Sequence, residues 1–116
     1  KGSEAEKKLR HEAIQQATRM AIEVPFRVME TAFASLEVIG AMAAEGNPNS
    51  VSDAGVGALC ARAAVLGAFL NVRINAAGYD DKTYVSQVLD KGAVIEAETI
   101  RTEAAILQLV KEKIGG

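Results

Sequence analysis

The stretch from Val51 to Asn75, VSDAGVGALCARAAVLGAFLNVRIN, decides the fold. It is dense in Ala, Val and Leu, holds no proline, and carries charge only at Asp53, Arg62 and Arg73. A run this long and this rich in alanine is a helix rather than a strand, and it can run from about Val51 to about Ala77. Gly55, Gly57 and Gly67 lie inside it, and each interior glycine costs about 1 kcal/mol relative to alanine. Neighbours must therefore hold the helix, and its small side chains let a second backbone or a flat ligand come close.

Outward from this helix the chain breaks twice. Before it, Gly46-Asn47-Pro48-Asn49 is the strongest turn signal in the sequence, and Ser50 with Asp53 three residues later reads as a helix N-cap. After it, Gly78 through Asp81 suits a C-cap and a fresh N-terminus. Upstream, Leu9, Ala13, Ile14, Ala17 and Ala21 predict an amphipathic helix from Glu4 to about Ile22. Pro25 disfavours helix at Val24, so a kink is expected there. Val28, Ala32, Leu36, Ile39 and Ala43 predict a second segment running to about Glu45. Downstream, Val85, Val88, Leu89, Ile95, Ile100, Leu107 and Val110 outline a last helix, bent near Gly92 and ended by Gly115 and Gly116. The reading is all-α: one domain over residues 1–116, a helical bundle of about four long segments.

Composition narrows the function. Thirteen Lys and Arg against fifteen Asp and Glu, with signs interspersed, leave no basic stripe, so no nucleic acid is expected as partner. Asp53, Arg62 and Arg73 interrupt the most apolar run, so no membrane span is expected either. The single Cys60 cannot form an internal disulfide, which with the absence of a signal peptide points to a reducing, cytoplasmic setting. The chain opens on Lys1 rather than Met, and an omitted N-terminal segment is expected.

Several chemistries lack their residues. His11 is the only histidine, so neither a histidine triad nor a His-rich metal site can be built, and no metal ligands are assigned. His11 reads as an exposed surface residue, and Cys60, among Ala and Leu, as an inert buried thiol. The polar residues of the central helix are more informative. Asp53 and Asn71 are five turns apart, which puts them on one face about 27 Å apart, with Asn75 one turn further on. Gly57, Cys60, Ala64, Gly67 and Ala68 lie between, while Arg73 points roughly the other way. That face is either a groove for an extended, partly flat molecule or the seam of a partner helix. Asp53 is either an acid-base group or simply part of the cap, and both pairs of readings stand on spacing alone.

Residues 46–56, Gly46-Asn47-Pro48-Asn49-Ser50-Val51-Ser52-Asp53-Ala54-Gly55-Val56, then Ala58-Leu59 and Asn71-Val72-Arg73-Ile74-Asn75, resemble the C-terminal domain of the formiminotransferase-cyclodeaminase family. That family includes formiminotetrahydrofolate cyclodeaminases and methenyltetrahydrofolate cyclohydrolases. Ile22-Glu23-Val24-Pro25-Phe26 resembles its helix before the turn. Members begin with further helices and a glycine-rich segment without counterpart here, so the resemblance implies the C-terminal part of the family domain. It implies a dimeric helical bundle with a folate site near the subunit interface. It also implies a tetrahydrofolate derivative as substrate, with no metal or redox cofactor. By the resemblance Asp53 would be the acid-base group, Asn71 and Asn75 would orient the pterin or one-carbon unit, and Arg73 would pair with the glutamate tail or an interface carboxylate. Asn47 and Ser52 would join the substrate site from the turn. Cyclodeaminase is the first reading, cyclohydrolase the second, and a non-catalytic helical oligomerisation module the third.

Overall fold

The computed structural model describes residues 2–115, and Lys1 and the expected terminator Gly116 lie outside it. Three helices carry the chain: α1 over Glu4–Glu45, α2 over Val51–Ala76 and α3 over Lys82–Ile114, with a 3-10 turn at Pro48–Ser50 between the first two. There is no strand among the described residues. The helices run up, down and up, because Lys113 Nζ reaches the Ala44 carbonyl at one end (2.6 Å) and His11 meets Asp80 at the other (2.6 Å). The result is a rod of 69 × 21 × 18 Å.

Three helices replace the four expected segments, because α1 passes through Pro25 without a break. Proline removes one backbone donor, the one that would reach the Ala21 carbonyl one turn earlier. Apolar packing on both flanks outweighs that loss: Ile22 and Met29, either side of the proline, are fully buried. The Asn75 amide of α2 also donates to the Ala21 oxygen, at 3.4 Å.

The ends of the helices follow local chemistry. At the start of α1, Ser3 and Glu6 exchange side-chain bonds to each other's backbone nitrogens at 3.1 and 3.0 Å, a capping box. These bonds hold the Glu6 carboxyl below its ordinary value. Asp81 caps α3 by accepting from the Tyr84 nitrogen (3.0 Å), and Gly115 closes it in the left-handed region at φ 97°. Ser50 does not cap α2, contrary to the sequence reading. The chain enters α2 already coiled as a 3-10 turn, so the capping bond falls earlier, from the Asn49 nitrogen to Asn47 Oδ1 at 2.9 Å. Asp53 does sit in the first turn of α2.

Two apolar clusters stack along the rod. One gathers Ile22, Met29, Val65, Phe69, Val72 and Val88, the other Leu36, Ala43, Ala58, Ile106 and Val110. Along α3, between Val88 and Ile106, lie the buried polar residues Thr99 and Glu103. Glu103 Oε1 pairs with Arg62 at 3.3 Å, and Thr99 Oγ1 has no partner. Gly92 of α3 packs against Phe69 of α2, where an added Cβ would lie 2.3 Å from Phe69 Cε1.

α2 is apolar all round, which corrects the membrane expectation in one respect. Pro48–Ala76 is long and apolar enough, by length and composition, to cross a bilayer, despite its charges. Its inner face is packed against α1 and α3, as in the core helix of a folded bundle. Its outer face is open: Val56, Leu59, Leu70 and Ile74 are 58%, 48%, 63% and 74% exposed.

Candidate functional site: the groove between α1 and α2

Where α1 and α2 lie side by side, a groove of about 730 Å³ opens on the outer surface. One wall is the stretch of α1 from Met20 to Val28, including Pro25; the other is the stretch of α2 from Ala63 to Asn75. The groove exists because α2 presents Ala63, Ala64, Gly67 and Ala68 here, so no side chain fills the space. A Cβ built on Gly67 would meet nothing within 4 Å.

Asn71 and Asn75 are the polar residues of this lining, and they fall together at one end, as their spacing predicted. Their states differ. The Asn75 amide donates to the Asn71 carbonyl at 2.9 Å and to the Ala21 carbonyl at 3.4 Å, so it is tied to backbone. The Asn71 side chain is exposed and has no hydrogen-bond partner among the described residues. It is free to pair, as donor and acceptor, with a heterocycle edge.

The other sequence candidates are not brought to this groove. Arg73 faces α3, its guanidinium 4.0 Å over the Phe69 ring and its Nη2 3.4 Å from Glu96 Oε1. Asp53, Ser52 and Asn47 are exposed at the far end of α2, and Asp53 has no ion-pair or hydrogen-bond partner among the described residues. No lining residue of the groove titrates, so a proton-transferring group has to enter from outside it. Among the described residues, no group of three or more His, Cys, Asp or Glu side chains could hold a metal ion.

Cys60 is exposed, not buried as its apolar neighbours suggested. On a helix apolar on every side, such neighbours do not mark the inward face. The α1 wall went unread although Met20, Val24 and Val28, at intervals of four, give it away. Also missed was the latch beyond the polar end of the groove. Gln15 bonds both the Gly78 carbonyl and the Asp80 nitrogen, at 3.0 and 2.7 Å. Arg19 binds Glu23 at 2.7 Å and lies 4.1 Å over the Tyr84 ring, and the Glu23 bond raises its basicity. His11 is exposed as expected, and its bond to Asp80 belongs to the same latch.

The geometry defines an all-helical chain with a small-residue groove on its surface and an amide pair at one end of that groove. The sequence profile described as formiminotransferase-cyclodeaminase matches residues 1–93, and the chain belongs to that family. It is 33% identical over 114 residues to a protein of Methylorubrum extorquens named methenyltetrahydrofolate cyclohydrolase. That alignment covers 98% of this chain and 55% of the relative, so the chain spans about half the length of the curated relative it matches.

Proposed function

We propose that this chain serves catalysis on a one-carbon unit carried by tetrahydrofolate, as a homodimer or higher oligomer, in the cytoplasm and without a further cofactor. The observation that carries the reading is the groove with the unpaired Asn71 amide at its polar end, in a chain related to a methenyltetrahydrofolate cyclohydrolase. A flat heterocycle fits between small side chains, and the amide reads its edge.

Hydrolysis of the methenyl bridge is the first form of this reading, because of the relative's name. Water adds to the cationic bridging carbon and gives up a proton, and one carbon–nitrogen bond then breaks to leave a formyl group. The chain's part is to hold the ring system, stabilise the tetrahedral carbon and carry the proton. Asn71 and Asn75 orient the heterocycle, and Asp53, about 27 Å from Asn71 along its own helix, carries the proton from another subunit of the oligomer. Asn47 and Ser52 line the approach beside Asp53, and Arg73 meets the glutamate tail once it leaves Glu96. The family description favours a second form, cyclodeaminase action, in which a formimino group closes on the neighbouring nitrogen with loss of ammonia.

Two assays separate these forms. Incubation with methenyltetrahydrofolate is expected to bleach its absorbance faster than buffer does. Ammonia release from formiminotetrahydrofolate would instead establish the cyclodeaminase. Inactivity in both, with no binding of a reduced folate, would overturn the folate reading and leave a helical assembly module.

A further inference from the structure

Asn71 and Asn75 are the same residue type at the same end of the groove, yet they offer a ligand different chemistry. The Asn75 amide nitrogen donates to the Asn71 carbonyl at 2.9 Å and to the Ala21 carbonyl at 3.4 Å, which engages both of its hydrogens. Reversing the carboxamide would set its oxygen against two carbonyl oxygens, so its orientation is fixed. What remains for a ligand is the side-chain oxygen. Asn75 Oδ1 has no hydrogen-bond partner among the described residues. The one buried side-chain polar atom among them that lacks a partner is Thr99 Oγ1, so Asn75 Oδ1 is accessible, on a residue that lines the groove. Asn71 is free at both ends of its amide and can turn to suit a donor or an acceptor.

The cause of the asymmetry lies on the other helix. In an unbroken helix the Ala21 carbonyl accepts from the nitrogen of residue 25, and proline has no N–H to give. The Ala21 oxygen is therefore left open on the α1 wall. The Asn75 carboxamide turns its nitrogen toward that oxygen and its own oxygen away. Within α2 alone the side chain could only bond back to its previous turn, where it competes with the backbone for one carbonyl.

We propose that Asn75 sets the ligand specificity of the groove as a fixed acceptor, and that Pro25 is the positioning residue that fixes it. A heterocycle edge lying against Asn75 has to present an N–H, because an acceptor there would face the oxygen unpaired. The lock stands on the hydrogen bonds alone, whereas the identity of the ligand rests on the folate reading above. In a reduced folate the edge that meets the requirement is the 2-amino group with the neighbouring N3–H, and the 4-oxo group does not. That edge lies at the Asn75 end. The one-carbon unit, at the opposite side of the ring system, then points along the groove toward Ala64 and Gly67.

Two experiments on the full chain test this. In the first, NMR follows hydrogen exchange of the side-chain amides without ligand: Asn75 is expected to exchange more slowly than Asn71, and Pro25→Ala to shrink the difference. Equal rates in the wild type, or an unchanged difference in Pro25→Ala, overturn the lock. In the second, calorimetry compares 5-formyltetrahydrofolate with its 2-desamino analogue, in which hydrogen replaces the amine. The wild type should prefer the amino compound by about tenfold, the effect of one lost hydrogen bond at a half-open site. Asn75→Leu should remove the preference. Pro25→Ala should lower it although Asn75 is retained, because any change to the shape of the wall falls on both compounds alike. Equal binding of the two compounds by the wild type overturns the fixed acceptor, and an undiminished ratio in Pro25→Ala overturns the part given to Pro25. Binding of neither compound sinks the folate reading and the edge assignment with it, and leaves the exchange rates to decide the lock.

Discussion

Asn75 stands in for the donor that Pro25 lacks. The Ala21 carbonyl has no backbone N–H one turn later, and the Asn75 amide approaches it from α2 at 3.4 Å. A side chain of one helix thus mends the ladder of another, at the wall of the groove. Asn75→Ala should cost about 1 kcal/mol by urea unfolding, a typical hydrogen-bond contribution. In a Pro25→Ala background, which restores the backbone donor, the same change should cost clearly less. Equal costs in the two backgrounds would refute the coupling.

Gly92 is fixed by Phe69. With only 2.3 Å between an added Cβ and the ring, Gly92→Ala must push the ring away and disturb the Arg73 guanidinium stacked on it. A loss of about 1–3 kcal/mol is expected, the usual range for overpacking. Phe69→Leu should return part of that loss in the double variant, and a fully additive result would argue against the contact as the cause.

Thr99→Val should leave stability unchanged or raise it by about 1 kcal/mol, since it replaces a buried hydroxyl without a partner by a methyl of the same shape. Chemical denaturation reads this directly, and a clear loss would show that the hydroxyl is satisfied in solution.

Gly67→Leu fills the groove from a position whose added Cβ touches nothing. The melting temperature of the monomeric unit should hold within about 2 °C, as for a surface substitution. Binding of a reduced folate, measured by calorimetry, should fall at least about tenfold, equivalent to about 1.4 kcal/mol. Undiminished binding would place the ligand elsewhere.

Tyr84 supplies a pH dependence. Burial raises its hydroxyl above the ordinary 10.0, the Glu23 carboxylate adds to that, and Arg19 opposes it. The folded state therefore holds this proton more tightly than the unfolded chain. Its contribution is fully present below pH 10 and is lost as pH rises through the folded value. Tyr84→Phe should flatten that part of an alkaline stability profile.

The sequence was most legible where local chemistry decides. The turn at Asn47 and Pro48, the cap at Asp81 and the span of α2 all follow from residues a few positions apart. It failed where a distant residue intervenes: Pro25 reads as a kink between two segments until Asn75 is beside it, and no pattern in α1 announces the single helix. Cys60 failed for another reason, since a helix apolar on every side offers no periodicity by which to tell inside from outside. In the groove, Asn71 and Asn75 were found by counting turns along one helix. Met20 and Val24 belong to a second helix whose register only packing sets.

The two tight turns at opposite ends of the rod make the chain a pair of hairpins sharing α2. Contacts near Asn47 and near Gly78 each close a loop of only a few residues, so either junction can start a zipper that draws in its neighbour. Assembly then has two independent starting points and one shared strut, and a defect at one turn slows that route while leaving the other open.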